Sequence, residues 1–279
     1  MTTSLSDSNL SLIFSVFYNI IILKSILNAQ RLILDAERLV VIHTSKYVCF
    51  LSCYTFNTTQ IITKSMRYEN FAEKEYYHIF GKGIGKEKIF IDDKDRIRFI
   101  FLITHLQSPT RIYNVSWYTE SFLKKGSFST QENRIKKILK KRSVELVAFS
   151  LMPNHFHILV QNLEDGILSV YMHRVLTAYS KYFNAKYNKK GHVFHGPFGA
   201  VHVKNNNQLL HLSAYIHKNP KEIEDWKDTY DKYPWSSYQD YIGLNRWGNF
   251  LSTDIVLKQF KNQAFYKDFV LTSVAKEYF

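Results

Sequence analysis

Two histidines stand two residues apart in Met152-Pro153-Asn154-His155-Phe156-His157-Ile158-Leu159-Val160. The string reads as a strand, where residues i and i+2 point to the same face. His155 and His157 therefore project together, and Phe156, Ile158 and Val160 face the other way. Neutral imidazole nitrogen is the commonest protein ligand for metals. The pair is either a ready-made chelate or two ordinary polar residues on a sheet surface. Further along, Tyr215 and Asn219 lie four apart in a stretch with helical spacing, beside His217 and Lys218. Residues i and i+4 share a helix face, so a phenol and a carboxamide point the same way. This inventory suits phosphodiester chemistry. A divalent ion on two imidazoles and an amide oxygen can polarise a scissile phosphate. A tyrosine can attack it and hold the strand as a covalent phosphotyrosine. Such an ion keeps open positions, so fewer protein ligands are expected than in a structural zinc site. The chain has 19 tyrosines. Tyr179, Tyr182 and Tyr187 have no amide or carboxylate four residues on. Tyr241 has Asn245 there, but Gly243 interrupts the helix between them.

The elements that must position these groups follow from periodicity. Glu75 to Phe80 reads as a strand closed by Gly81-Lys82-Gly83. Asp92-Asp93 opens a helix through His105, with acids where the helix dipole favours them. Residues 106–130 show no clear period and read as an irregular loop. Arg134 to Arg142 carries six basic residues in nine and reads as a helix with a basic face. Its alternative is a solvated surface helix, but that density of positive charge invites a polyanion. Ser143 to Ser150 and the histidine strand make a β-hairpin. Ile167 to Tyr187 is a long helix with Leu168, Tyr171, Val175, Ala178, Tyr179, Tyr182 and Phe183 on one face; His173, Arg174, Lys181 and Lys186 lie on the other. A glycine-punctuated loop (Gly191 to Phe198) leads to a strand from Ala200 to Lys204. Asn205-Asn206-Asn207 then caps a helix from Gln208 to about Lys218, stopped by Asn219-Pro220. The order β, α, β, β, α, β, α is that of an α+β domain. Its simplest architecture is one antiparallel sheet with helices packed on one face.

The 279 residues suffice for one large domain or two modest ones. With 46% apolar and 16% aromatic residues, the chain is globular. Lys and Arg number 37 against 24 Asp and Glu, a net charge of +13. That excess favours nucleic acid or an anionic membrane surface. Cys49 and Cys53 are the only cysteines, which excludes a disulfide framework and makes a reducing cytoplasm the default. Residues 1–65 differ from the rest. Leu10 to Leu23 is apolar but shorter than a membrane span, and it lacks the flanks of a signal peptide. The segment reads as a helical extension, a marginal membrane anchor, or an appendage ahead of a start at Met66.

From Met66 onward the chain resembles the REP-associated tyrosine transposases, within the single-tyrosine HUH transposase superfamily of insertion-sequence-like enzymes. The pieces that carry the resemblance are Tyr76 to Phe80, Leu151 to Val160, Tyr182-Phe183-Asn184, Gly191-His192-Val193-Phe194-x-Gly196, Leu209 to Pro220, and Tyr233-Pro234-Trp235-Ser236-Ser237-Tyr238. The resemblance implies a ferredoxin-like (RRM-like) fold over residues 66–243, with 1–65 as an N-terminal extension and 244–279 as a helical tail. It implies His155 and His157 as metal ligands, Asn219 as the third, amide-type ligand, and Tyr215 as nucleophile. The implied ion is Mg2+ or Mn2+, with no small-molecule cofactor. The implied substrate is single-stranded DNA bearing a hairpin or palindromic repeat. Cleavage would leave a 5′-phosphotyrosine and a free 3′-OH, which can be rejoined to another strand in transposition or repeat mobilisation. Some relatives act as homodimers and others as monomers. Relatives often continue the glycine loop as G-R-F-K, where this chain has Gly196-Pro197-Phe198-Gly199, and His195 stands where Gln is frequent.

Lys136, Lys137, Lys140 and Lys141 are the first expected phosphate contacts, followed by Arg174 and Lys181. Phe194 and Trp235 are aromatic candidates for stacking on unpaired bases, with burial as the competing reading. Two other functions share this inventory. One is a DNA-binding protein of the same fold without mobility. The other is a hydrolytic metal-dependent nuclease in which Tyr215 is a bystander.

Overall fold

Two runs of alternating residues, joined by Pro153-Asn154, build the hairpin at the heart of the sheet. The computed structural model describes residues 71–274, and there these runs form β2 (Val144–Met152) and β3 (His155–Asn162). β1 (Tyr76–Lys82) pairs with the free side of β3, and β4 (Gly199–His202) pairs with β1. The strand order is β2-β3-β1-β4, with every neighbour antiparallel. One helix, α1 (Asp93–His105), lies between β1 and β2 in the chain. Two more, α2 (Val115–Lys125) and α3 (Glu132–Lys140), follow it. A long helix, α4 (Ile167–Tyr187), joins β3 to β4, and α5 (Asn206–Lys218) follows β4. This is the βαββαβ order of a ferredoxin-like α+β fold, as the sequence led us to expect.

Alternation sorts the two faces. Phe156, Ile158 and Val160 are fully buried on one side of β3. The Phe156 ring lies 5.0 Å from Phe99 of α1, which in turn lies 5.1 Å from Tyr179 of α4. Burying each such side chain contributes about 1.5–3 kcal/mol, which is why this face takes the helix pair. The expectation of helices on one face holds for α1 and α4. α5 lies on the opposite face, against β2 and β3, and that is the histidine face.

Local signals explain the helix ends. Asp92 caps α1 in a capping box with Asp95. Asp95 is fully buried and binds Lys186 at 2.7 Å, and the hydroxyls of Tyr182 and Tyr187 donate to it at 2.9 and 2.8 Å. Burial works against the Lys186 charge, but its hydrogen bonds to Asp92 and Asp95 outweigh this and hold its pKa above the usual lysine value. The loop expected across 106–130 is corrected by α2. Its aromatic residues mask the period, since Trp117 is exposed while Tyr118 packs on Phe101 at 4.9 Å. The stop signal was present: two lysines in the last turn, then Gly126 at φ 70°, a left-handed cap that glycine adopts without strain.

The segment after β4 also closes the sheet's outer edge. Backbone N–H groups of Leu151, Ser237 and Ser252 bond to Trp235 O, Phe149 O and Leu146 O along β2. An exposed edge strand is an aggregation hazard, and this chain covers it with its own Tyr233–Ser252 stretch. The tail ends in α6 (Gln263–Thr272) against α5. Among the described residues, no helix is long and apolar enough to cross a membrane. The expectations for residues 1–65, including Cys49, Cys53 and a start at Met66, lie outside the described residues.

Candidate active site

The β2–β3 turn sets the position of His155. Ile89 N and Phe90 N both donate to Pro153 O, at 2.9 and 3.0 Å, and Gly83 N donates to Asn154 O at 2.8 Å. The turn is thus tied to the chain that follows β1. Asn154 Oδ1 then meets His155 Nδ1 at 2.7 Å. An amide oxygen only accepts, so His155 carries its proton on Nδ1 and keeps the Nε2 lone pair. His157 Nδ1 meets His78 Nε2 at 2.9 Å, so there too Nε2 is the nitrogen left over. Imidazoles held through one nitrogen and open at the other are the usual arrangement of metal-binding histidines.

Register identifies what else shares this face. His78 stands opposite Leu159, Phe80 opposite His157, and Lys82 opposite His155. All three therefore point to the histidine side. Alternation along Tyr76–Lys82 groups them, but only pairing with β3 shows that they share the histidine face. Burial pushes the His78 pKa down to about 4. Burial also lowers His157 well below the ordinary value, helped by the neighbouring His78 and His155. His155 is lowered by burial as well, against the opposing pull of Glu222 and a hydrogen bond with Asn219. At neutral pH the imidazoles are uncharged, the form that binds metal.

Helix α5 supplies the second half. Asn205 caps it by accepting from Gln208 N at 2.8 Å. Buried His217 anchors it, with Nδ1 2.7 Å from Tyr266 Oη and Nε2 2.9 Å from Ser237 Oγ. Ser237 is the residue that hydrogen-bonds the Phe149 backbone of β2. The anchor turns the other face of α5 toward the sheet. The half-buried Tyr215 ring lies 5.5 Å from His157 and 6.0 Å from His78, edge-on to both. One turn on, buried Asn219 donates Nδ2 to Tyr215 O at 2.9 Å. That leaves Oδ1 as the accepting end of the carboxamide. Two imidazole nitrogens and one amide oxygen are donors that suit a divalent ion and, being only three, would leave coordination positions for phosphate and water. Among the described residues no group of three or more His, Cys, Asp or Glu could hold a metal.

A cleft of about 440 Å3 opens beside the pair, bordered by Phe80, Lys82, Lys86, Asn154, His155 and His157 and closed by His195, Pro197 and Gly199. Lys82 and Lys86 are exposed. The loop that departs from G-R-F-K thus still borders the site, and the nearby positive charge comes from β1 and the turn after it.

The expected DNA contacts lie elsewhere. Lys136, Lys137, Lys140 and Lys141 are exposed on or just after α3. Lys136 pairs with Glu132 at 2.6 Å. α3 enters β2 at Val144, which pairs with Asn162, whereas Met152 at the far end pairs with His155. Eight steps of about 3.3 Å put the start of β2 about 26 Å from the histidine end. This basic stretch therefore lies toward the other end of the sheet from the histidines. Arg174 donates to Leu106 O, Ser108 O and Thr110 O at 3.3, 2.7 and 3.3 Å, so it holds the chain leaving α1. Lys181 is exposed on α4, across the sheet from the histidines. Phe194 is buried against Tyr179 and Phe156. Trp235 is partly buried, with the Arg96 guanidinium 5.8 Å from its ring centroid.

A ferredoxin-like sheet that gathers two histidines, a tyrosine and an amide on one face is the architecture implied by the resemblance to single-tyrosine transposases. Residues 109–219 match the family model described as "Transposase IS200 like". The matched segment, about two fifths of the chain, contains both histidines, Tyr215 and Asn219. No curated protein matches the chain. Among solved structures, a REP-associated tyrosine transposase bound to a REP hairpin is similar at 13% identity, over 69% of this chain and 93% of that chain, with a TM-score of 0.43. The fold rests on the strand pairings themselves, not on that likeness.

Proposed function

We propose that this protein is a metal-dependent, site-specific endonuclease and strand transferase for single-stranded DNA, acting in transposition or repeat-element mobilisation. The observation that carries the reading is the approach of Tyr215 to the histidine pair. The two are far apart in sequence and on different elements, yet the phenol ring lies 5.5 Å from His157. Asn219 completes the set one turn on, at the C-terminal cap of α5.

In this reading Tyr215 Oη attacks the scissile phosphorus. A Tyr–O–P bond forms as the bond from phosphorus to the 3′ oxygen breaks, leaving a free 3′-OH and a 5′-phosphotyrosine. Attack by a 3′-OH reverses the step and rejoins strands, so bond energy is conserved. His155, His157 and Asn219 would hold Mg2+ or Mn2+, which when bound supplies Lewis-acid polarisation of the phosphate. Lys82 presents a positive charge beside His155, where a phosphate oxygen would sit. The substrate's hairpin, and assembly as a homodimer, belong to this proposal through the family alone.

The test is covalent trapping on a 5′-interrupted single-stranded substrate with Mg2+ or Mn2+. The expected result is a protein–DNA adduct that disappears in Tyr215→Phe. An adduct that persists in Tyr215→Phe removes Tyr215 as nucleophile. Cleavage with no adduct in the unaltered protein would favour the hydrolytic nuclease. DNA binding with neither would favour a binding protein of the same fold.

A further inference from the structure

The histidine face is covered unevenly. α5 packs on β2 and β3, while on the β1–β4 half Phe80 and Val201 remain 38% and 43% exposed. Phe80, in mid-strand beside the buried His78 and His157, keeps more than a third of its surface open to solvent. Its seat is also specific. Phe80 stands opposite Gly199 of β4. A Cβ at Gly199 would lie 2.2 Å from Phe80 Cε2 and 2.3 Å from Cζ. The ring thus lies across the space that any other residue at 199 would fill. Gly199 has no positive φ to explain it, so close approach by the ring is what the glycine permits. The ring is 5.2 Å from His78 and 6.2 Å from His157, tilted to both. It borders the same cleft as Lys82, Lys86 and Pro197.

An apolar ring at the rim of a positively charged cleft fits one chemical partner well: an unpaired nucleobase whose phosphates run past the lysines. Aromatic side chains take bases of any sequence, because every base has a π-face. We propose that Phe80, seated over Gly199, is a base-stacking platform that holds the unpaired base adjoining the phosphate presented to His155 and His157. The inference rests on the nucleic-acid reading above and adds the subsite that would position the strand. It makes Phe80 a positioning residue: the stacked base fixes where along the strand the reacting phosphate falls.

Base stacking is separable from phosphate attraction. The full chain is titrated with a short oligothymidylate and with an all-abasic oligomer of the same length, at fixed salt. The expected result is a preference for the base-carrying oligomer. Phe80→Leu should reduce this preference by roughly 5- to 100-fold while leaving abasic binding unchanged. Gly199→Ala, which pushes the ring from its seat, should reproduce the loss, and Phe80→Trp should retain the preference. Thermal unfolding checks that each variant folds. If Phe80→Leu weakens both oligomers equally, or neither, the platform is wrong. The adduct assay on the unaltered protein separates the two readings. An adduct with an unchanged base preference in Phe80→Leu overturns the platform alone. A Phe80-dependent preference without adduct overturns strand cleavage and leaves the platform standing.

Discussion

At the scale of residues, the site is a small set of side chains whose orientation is fixed by neighbours on one nitrogen or one oxygen. Asn154 holds His155 Nδ1, His78 holds His157 Nδ1, and the Tyr215 carbonyl holds Asn219 Nδ2. Each partner engages one atom and leaves the opposite one to the ion or phosphate of the proposed reaction. Removing such a partner loosens the ligand without deleting it, which commonly costs 10- to 100-fold in metal affinity. Lys82 acts differently. It is exposed and stands opposite His155, so its contribution to the proposed reaction is charge. Lys82→Ala should weaken binding of single-stranded DNA and reduce the slope of log affinity against log salt by about 0.7, the value for one phosphate contact on a single strand. Titrations at several salt concentrations read this slope. An unchanged slope removes Lys82 from the phosphate path.

At the scale of elements, the chemistry depends on how α5 is docked. Its anchor is His217, fully buried and pushed down to a pKa of about 3 by that burial. His105, stacked on Phe101 at 4.0 Å, is likewise pushed down to about 3 by burial. In the unfolded chain both return to about 6.5. A folded pKa below the unfolded one means that the unfolded state binds more protons in between. The stability from keeping these rings neutral is therefore complete above about pH 6.5 and is lost as pH falls toward 3. At pH 5 each ring should cost about 2 kcal/mol relative to neutral pH. Urea unfolding at pH 7 and pH 5 measures the difference. His217→Gln should reduce the acid dependence by about one proton while lowering stability at pH 7. An acid dependence unaltered by that change would show that His217 does not titrate with unfolding.

At the scale of the whole molecule, two positively charged regions are separated by the length of β2. Lys82 and Lys86 border the cleft, while Lys136, Lys137, Lys140 and Lys141 lie toward the other end of the strand. A strand threaded through the cleft reaches the second region only if it continues for about 26 Å, the length of β2. The two regions should therefore separate in function. Replacing the four α3-region lysines by alanine should weaken binding of a long DNA several-fold per lost contact at moderate salt. It should leave the single-turnover adduct rate on a short, saturating oligonucleotide within about two-fold, because positioning contacts away from the reacting phosphate do not enter its transition state. A matching loss on the short substrate would place these lysines at the cleft.

Much of this was legible in the chain because strand and helix periods are local. Alternation placed His155 with His157, and the i,i+4 rule placed Tyr215 with Asn219, without any tertiary information. Asp92-Asp93 and Asn205 marked helix starts by cap chemistry, and Asn219-Pro220 marked an end. α2 was hidden because three of its apolar residues are aromatic and Trp117 and Leu123 are exposed, so composition obscured its period. What no local rule could supply was which elements meet. His78, Phe80 and Lys82 share a face by alternation, but the register of β1 against β3 is what sets them beside the histidines. The basic helix adjoins the histidine hairpin in sequence yet lies a strand's length from the histidines, since β2 carries the chain away before the turn brings it back. Sequence by itself determined the residue types and the face each occupies on its own element. The pairing of strands and the docking of α5 decided which faces look at one another, because those depend on burial between segments far apart in the chain.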